Sequence, residues 1–193
     1  MTQRAPLTSS DVHELQLRIA DYEDMSAYNK LFFHFYTPLK NFSNSILRST
    51  QLAEEVVSDI FIEIWAKRKQ LLEIEDLKMY LYVSVRNTSL RRLQQARKTS
   101  VLSLDDLQVE FATADINAEN SLISNELNQK IEGAIESLPP QCKIIFKLAK
   151  QDNMKYKEIA QLLNISVKTI DNQLATALKK IATVLENPVK KIF

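Results

Sequence analysis

A single glycine, Gly133, stands among the 193 residues of the chain, together with five prolines. Sheet proteins need glycine at tight turns because glycine adopts positive-φ conformations without steric cost. Helices joined by short connections need far fewer glycines, and residues that favour helices dominate the composition. Because 45% of the residues are hydrophobic and 25% are charged, the sequence predicts a soluble, globular, all-α protein.

Residues 155–181 contain two stretches of helical periodicity separated by a short turn. Asn164 stands at the turn, where Asn tolerates the left-handed conformation, and Ser166 is a favourable N-cap for the following helix. This pattern is typical of a helix-turn-helix with its recognition helix second. The apolar face of that second helix is predicted to hold Ile170, Leu174, Ala177, Leu178 and Ile181.

The outer face of the same helix carries hydroxyl, amide and ammonium groups, which can contact base edges and phosphates. Any two amphipathic helices at a protein surface would also show one polar face, so periodicity alone does not establish DNA binding. The small Ala160, the turn, the cap and the scarcity of acids favour it, although Asp171 must point away from phosphate. The candidate residues are Ser166, Lys168, Thr169, Asn172, Gln173, Thr176, Lys179 and Lys180.

Residues 52–72 are predicted to form one helix that buries Val56, Ile60 and Ile64, with Leu71 on the same face. Phe61 and Trp65 stand four residues apart beside that face. A large aromatic pair edged by acids is typical of a protein-binding patch, whereas packing against a neighbouring helix explains the same spacing. The candidate binding residues are Glu55, Asp59, Phe61, Ile62 and Trp65.

A basic helix over residues 77–98 follows, with tyrosines interleaved among its charges. Such a surface can bind backbone phosphates and stack on unpaired bases, and a solvated charged face is the alternative. The candidate nucleic-acid-binding residues are Lys78, Tyr80, Tyr82, Arg86, Asn87, Arg91 and Arg92.

Charge divides the chain into three parts, although the whole carries a net charge of only +1. Residues 1–98 hold 14 Lys and Arg against 12 Asp and Glu, and residues 130–193 hold 11 against six. Between them, residues 99–129 hold six acids and no base. Helical periodicity is weak up to about Asn117, and a helix is predicted from about Ala118 to Ser137. The sequence therefore predicts two helical domains, over 1–98 and 118–193, joined by an acidic linker over 99–117.

Several classes of function lack the residues they require. The sequence shows no glycine-rich phosphate loop, paired catalytic carboxylates or nucleophile motif, so it predicts no enzyme. His13 and His34 are far apart without ligand-type neighbours, so no metal site or cofactor is expected. Cys142 is the one cysteine, which fits a reducing, cytoplasmic location, and no long uncharged apolar run predicts membrane insertion.

The chain resembles a known family in several motifs that follow one another along the sequence. Three segments of the chain resemble the first domain of bacterial extracytoplasmic-function (group IV) sigma factors. They are LQLRIADYEDMSAYNKLFFHFYTPLKNFSNSIL, AEEVVSDIFIEIWAKR and YLYVSVRNTSLRRLQQ. The second domain of that family is similar to LPPQCKIIFKLAKQDNMKYKEIAQLLNISVKTIDNQLATALKKI, residues 138–181. The chain departs from the family pattern at Tyr80, where Trp is commoner, and at Asn164, where Gly is commoner.

The resemblance implies a protein that binds core RNA polymerase and directs it to promoters. The helix near Asp59 would bind polymerase, the basic helix and the loop before it would hold the melted minus-ten strand, and residues 166–180 would bind the minus-thirty-five element. The linker would lie in the polymerase cleft. It also implies an anti-sigma protein, often membrane-anchored, as the controlling partner.

Two other functions are compatible with parts of the sequence. A helix-turn-helix transcriptional regulator with an α-helical sensor or interaction domain would explain residues 155–181 equally well, but not an acidic segment between two basic modules. A helical adaptor that binds only protein would leave the outer face of the recognition helix without a role. Binding of the chain to core polymerase, together with duplex binding by the isolated C-terminal half, separates both from a sigma factor.

The acidic linker yields a first prediction. Neutralising Asp105, Asp106 and Glu110 together should leave duplex binding by the C-terminal half unchanged, because these residues lie outside it. It should impair initial RNA synthesis or promoter escape, because a negative segment is attracted to a positively charged nucleic-acid channel. The measurement is the ratio of abortive to full-length transcripts on one promoter. Identical ratios for variant and parent would mean that the linker is a passive spacer.

Overall fold

The computed structural model describes residues 7–99 and 122–186, with side chains over 7–95 and 129–185. Every regular element in these two ranges is helical, so the predicted all-α fold class is confirmed. The chain divides into two compact units, Met1–Asp106 and Leu107–Phe193. Residues 100–117 of the predicted acidic linker lie outside the described residues.

Four α-helices and one 3₁₀ helix build the first unit. Helix α2 packs against both α3 and α4, and α1 packs across α2 and the 3₁₀ helix. Asp24 is the N-cap of α2, since its carboxylate accepts from the amides of Ser26 at 2.8 Å and Ala27 at 3.1 Å. The elements are α1 (Ser9–Tyr22), α2 (Met25–Leu47), α3 (Thr50–Ala66), the 3₁₀ helix (Arg68–Glu73) and α4 (Leu77–Thr99).

The core of the first unit is mostly apolar and includes a hydrogen-bonded pair of buried serines. The buried face predicted for α3, with Val56, Ile60 and Ile64, is observed. Ser43 on α2 and Ser89 on α4 are both fully buried, and their hydroxyl oxygens lie 2.9 Å apart. This hydrogen bond satisfies two polar groups that would otherwise be costly to bury.

The predicted helix over 52–72 ends six residues early. Helix α3 ends at Ala66, and residues Arg68–Glu73 form the 3₁₀ helix. Leu71 is buried, as the helical spacing required, but it is buried in an element that packs against α1. The contact with α1, and not the helical period of α3, fixes its position.

The second unit contains α5 (Leu122–Glu136), α6 (Pro140–Lys150), α7 (Tyr156–Leu163) and α8 (Val167–Glu186). Helix α8 packs against α5, α6 and α7. Pro140 occupies the first turn of α6, where its missing amide hydrogen is not needed. Residues 118–121 of the predicted second domain lie outside the described residues.

A buried lysine ties α6 to the end of α5. The Lys143 side chain is 4% exposed, and its ammonium donates to Glu136 Oε2 at 2.8 Å, while Lys147 donates to Oε1 at 2.8 Å. Burial raises the pKa of Glu136, but the hydrogen bonds and charges of the two lysines outweigh it, so the pKa lies below its ordinary value. This stabilisation is therefore complete above the unfolded-state pKa and is lost as pH falls through the lower folded-state pKa.

Glu136→Gln should destabilise the second unit by about 2 kcal/mol at neutral pH, because it leaves Lys143 buried beside a neutral partner. Cys142 is the one cysteine and is buried in this unit, so its rate of reaction with a disulfide reagent reports opening of the unit. We expect that rate to rise about 30-fold at neutral pH. The difference from the parent should shrink in acid, where Glu136 is protonated in both states.

Glu132→Gln is the matched control, since Glu132 is exposed one helical turn earlier on α5. Its thiol reactivity should equal that of the parent. Equal reactivity of Glu136→Gln and the parent at neutral pH would contradict the stabilising role of this cluster.

Candidate polymerase and promoter interfaces

Helices α7 and α8 form the predicted helix-turn-helix. Asn164 ends α7 in the left-handed conformation, with φ 55° and ψ 51°, and the amide of Ile165 donates to the Ala160 carbonyl at 3.0 Å. Ser166 caps α8, because its Oγ accepts from the Thr169 amide at 3.0 Å. Both local predictions are confirmed.

The buried face of α8 differs from the prediction at one residue. Ile170, Leu174, Ala177 and Ile181 are buried, but Leu178 is 50% exposed. Leu178 follows Ala177 by one residue, which rotates it about 100° from the core stripe. Its predicted burial is therefore wrong.

Several polar groups on the outer face of α8 already make hydrogen bonds within the second unit. The Lys180 ammonium donates to the Ser137 carbonyl at 3.0 Å, and the Thr176 hydroxyl donates to the Asn172 carbonyl at 2.9 Å. The Thr169 and Ser166 hydroxyl oxygens lie 2.9 Å apart at the cap, and both Thr169 and Gln173 are half-buried. The most outward stripe, at helical spacing, consists of the exposed residues Lys168, Asn172, Thr176 and Lys179.

The outer face of α3 presents an apolar side chain beside acids. Ile62 is 65% exposed, and Glu55 and Asp59, which share that face at helical spacing, are also exposed. Trp65 is half-buried: its ring meets Tyr28 edge to face at 5.1 Å, and the Arg68 guanidinium lies 5.4 Å from its centroid. An exposed isoleucine edged by carboxylates can anchor a protein that has a basic surface.

Phe61 belongs to the core and not to that surface. It is 1% exposed, its ring contacts Phe32 at 5.0 Å and Tyr28 at 6.2 Å, and its carbonyl accepts from the Tyr28 hydroxyl at 2.9 Å. Burial raises the pKa of Tyr28. For Phe61 the structure therefore supports packing on the neighbouring helix, the alternative that its spacing left open.

On α4 the candidate nucleic-acid residues are exposed to different degrees. Tyr82 is 1% exposed and its ring lies 5.3 Å from that of Phe42, so it cannot stack on a base in this conformation. Tyr80 is 41% exposed. Of the remaining candidates, Asn87 and Arg91 are exposed, and Lys78, Arg86 and Arg92 are half-buried.

One arginine joins the two candidate surfaces of the first unit. Arg92 on α4 donates to Glu55 at 3.1 Å and to Asp59 at 2.7 Å, both on α3. Its positive charge is therefore partly neutralised by two residues of the candidate protein-binding face.

Two family models match the chain in the order that its motifs predict. The model described as Sigma-70 region 2 matches residues 31–99, and the model described as Sigma-70, region 4 matches residues 128–181. The ECF RNA polymerase sigma-E factor of Escherichia coli K12 is 24% identical over 175 residues, covering 87% of this chain and 91% of that protein. The chain belongs to the extracytoplasmic-function sigma factors. This sigma factor is also 22% identical to the ECF RNA polymerase sigma factor SigK of Mycobacterium bovis over 184 residues, covering 94% of the chain and 97% of SigK.

Two solved structures share the fold of this sigma factor. CnrH, in complex with the cytosolic domain of CnrY, matches with a TM-score of 0.53 and 16% identity over 91% of this chain and 97% of CnrH. The sigma factor RpoE of Bartonella quintana, in complex with the anti-sigma factor NepR, matches with a TM-score of 0.54 and 16% identity over 83% and 97% of the two chains. Within residues 7–99 and 122–186, none of the helices combines the length and apolarity of a membrane span.

The family establishes what the sigma factor does. It binds core RNA polymerase and directs promoter-specific transcription initiation. A regulator with a helical sensor domain is not favoured, because region 2 matches the part of the chain that a sensor would occupy.

The structure also shows a buried polar residue, Gln16, that is not among the predicted site residues. Gln16 lies on α1 between the buried residues Leu15 and Ile19 and is itself 2% exposed. The signal was present in the sequence, since helical spacing places position 16 on the apolar face of α1. A lone amide on such a face needs hydrogen-bond partners from another element.

Proposed function

We propose that the sigma factor binds polymerase and two promoter elements through three separate surfaces. The outer face of α3, with Glu55, Asp59, Ile62 and the edge of Trp65, binds core polymerase, and Phe61 supports that face from beneath. The exposed stripe of α8 binds the minus-thirty-five element. Helix α4 and the loop before it hold the melted minus-ten strand, through Lys78, Tyr80, Arg86, Asn87, Arg91 and Arg92, with Tyr82 supporting them from the core.

The exposure of Ile62 carries the assignment of the polymerase face. An isoleucine that is 65% exposed, while Val56, Ile60 and Ile64 of the same helix are buried, gains up to about 1.5–3 kcal/mol when a partner buries it. The neighbouring carboxylates Glu55 and Asp59 complement a basic partner and disfavour contact with DNA. We therefore propose that this face binds polymerase, whereas the positively charged α4 binds nucleic acid.

The proposal extends to domains, location and control. Residues 1–98 form the polymerase and minus-ten domain, 99–117 the acidic linker, and 118–193 the minus-thirty-five domain. The sigma factor acts in the cytoplasm and without catalysis of its own. The titles of the two similar structures name CnrY and the anti-sigma factor NepR as partners of those proteins, which supports the proposal that an anti-sigma protein also holds this chain.

Ile62→Glu tests the polymerase face. Trp65 packs on Tyr28 and Asp59 pairs with Arg92, so substitution of either would disturb contacts inside the unit, whereas Ile62 projects outward. Loss of a central apolar anchor should weaken binding to core polymerase by about 2 kcal/mol, or roughly 30-fold in Kd. Titration of labelled core enzyme with the sigma factor measures this.

Met25→Glu is the control for that experiment, since Met25 is an apolar residue that is 51% exposed and belongs to α2, not to α3. It should bind core polymerase like the parent. If Ile62→Glu retains parental affinity with unchanged helix content, the α3 face is not the polymerase site.

Substitutions on α8 separate base recognition from phosphate binding. Asn172→Ala should change the preferred base at one position of the minus-thirty-five element, by about 1–3 kcal/mol. Lys179→Ala should weaken binding to all sequences alike and lower the salt dependence by about one counterion. Lys180→Ala is the matched lysine control, and its loss of affinity should be smaller because its ammonium already donates to Ser137. Binding to a library of duplexes at several salt concentrations measures all three, and an unchanged base preference in Asn172→Ala would refute the placement of α8.

A further inference from the structure

Gln16 on α1 makes two hydrogen bonds to the end of the 3₁₀ helix. Its side-chain nitrogen donates to the Leu71 carbonyl at 2.8 Å and to the Ile74 carbonyl at 3.0 Å. A side-chain amide nitrogen has two hydrogens, so this nitrogen is fully used. Gln16 is 2% exposed, so its amide is shielded from water, and its bond to Leu71 is fully buried.

These carbonyls belong to the 3₁₀ helix and the residue after it, a segment whose own hydrogen bonds are weak. A 3₁₀ helix has weaker hydrogen-bond geometry than an α-helix, and the last carbonyls of any helix lack partners within it. Within the segment, the Ile74 amide donates to the Leu71 carbonyl at 3.2 Å. The Gln16 amide supplies that carbonyl with a second donor and connects it to Ile74, three residues later.

Helix α1 also contacts the beginning of the 3₁₀ helix. The guanidinium of Arg68 forms an ion pair with Glu23, the C-cap residue of α1, and donates from Nη1 to the Trp65 carbonyl at 3.3 Å. Both ends of the 3₁₀ helix are thus fixed to α1. Helix α1 precedes residues 31–99, the part of the chain that the Sigma-70 region 2 model matches.

The 3₁₀ helix connects the candidate polymerase face to the candidate promoter surface. It begins two residues after α3 ends, and the short loop Ile74–Asp76 leads from it into α4. Leu72 is 40% exposed, Glu73 and Glu75 are exposed, and Asp76 accepts from the Met79 amide at 2.9 Å. The direction in which the exposed side chains point therefore depends on where the 3₁₀ helix ends, and Gln16 fixes that end.

We propose that Gln16 is a positioning residue for minus-ten recognition: it holds the end of the 3₁₀ helix so that residues 72–76 meet the unpaired bases in one fixed geometry. This inference rests on the proposed function of α4 and of the loop before it. Gln16 touches no DNA itself. It acts through the Leu71 and Ile74 carbonyls. If residues 72–76 took no part in minus-ten recognition, the same two hydrogen bonds would contribute to stability alone.

Gln16→Met tests the inference, because methionine has a similar volume and no donor. The assay forms holoenzyme from core polymerase and full-length sigma factor, on a promoter selected in vitro by the parent. It compares affinity for fork-junction DNA carrying the preferred minus-ten strand with affinity for the same DNA with one base replaced. We expect this discrimination ratio to fall at least fivefold, with binding to core polymerase and to the minus-thirty-five duplex within twofold of the parent.

Ser43→Ala is the matched control, since it also removes a buried side-chain hydrogen bond in the same unit, between α2 and α4. It should lower thermal stability while keeping the parental discrimination ratio. A parental ratio in Gln16→Met, or an equal fall in Ser43→Ala, would overturn the inference. If Gln16→Met fails to fold by circular dichroism, Gln16→Asn, whose shorter amide cannot reach both carbonyls, is measured in the same way with the same expected fall.

Leu72, at the end of the 3₁₀ helix, and Glu75, in the loop after it, supply two variants, here called loop variants, that distinguish failure of this inference from failure of the proposed function. Leu72→Ala and Glu75→Gln change the exposed side chains directly. If they reduce the ratio and Gln16→Met does not, the loop binds the minus-ten strand and only the role of Gln16 is overturned. If neither loop variant changes the ratio, the proposed function of the loop is wrong and the role of Gln16 falls with it.

Discussion

Burial of Val56, Ile60 and Ile64 fixes the orientation of α3, and the arrangement of the first unit depends on it. Helix α3 packs against both α2 and α4, so only one side of it remains outside. That side holds Ile62 with Glu55 and Asp59. A rotation of α3 that buried Ile62 would also place two carboxylates in the core, which is far more costly than leaving one isoleucine exposed. The packing of the core therefore determines which side chains can meet a partner.

Electrostatics links the two outer surfaces of the same unit. Arg92 pairs with Glu55 and Asp59 across the α3–α4 contact, and because all three side chains are partly exposed, each pair contributes at most about 1 kcal/mol to folding. Such weak pairs exchange readily. A cation that bound Glu55 or Asp59 would compete with Arg92 and leave its guanidinium available to a phosphate.

The features that could be predicted from the sequence are those set by local chemistry. Asn164 at the turn and Ser166 at the cap follow from the backbone preferences of single residues, and the buried stripe of α8 follows from its helical period. The predicted burial of Leu178 is wrong, and the spacing of Phe61 and Tyr82 could not show whether they are exposed, for the same reason: each lies at the edge of an apolar face, where neighbouring helices decide whether a side chain is covered. Gln16 and Leu71 are 55 residues apart in sequence, and no local pattern indicates that contact.

The connection between α1 and α2 has a further consequence. Glu23 ends α1 with a φ of 51°, a left-handed conformation that costs a residue with a Cβ about 1 kcal/mol and glycine nothing. The same Glu23 forms the ion pair with Arg68, which glycine could not. A residue that looks unfavourable when α1 is considered alone is thus explained by a helix that follows it by 45 residues. In a chain with one glycine, Glu23 ends a helix through its backbone and holds a distant segment through its side chain.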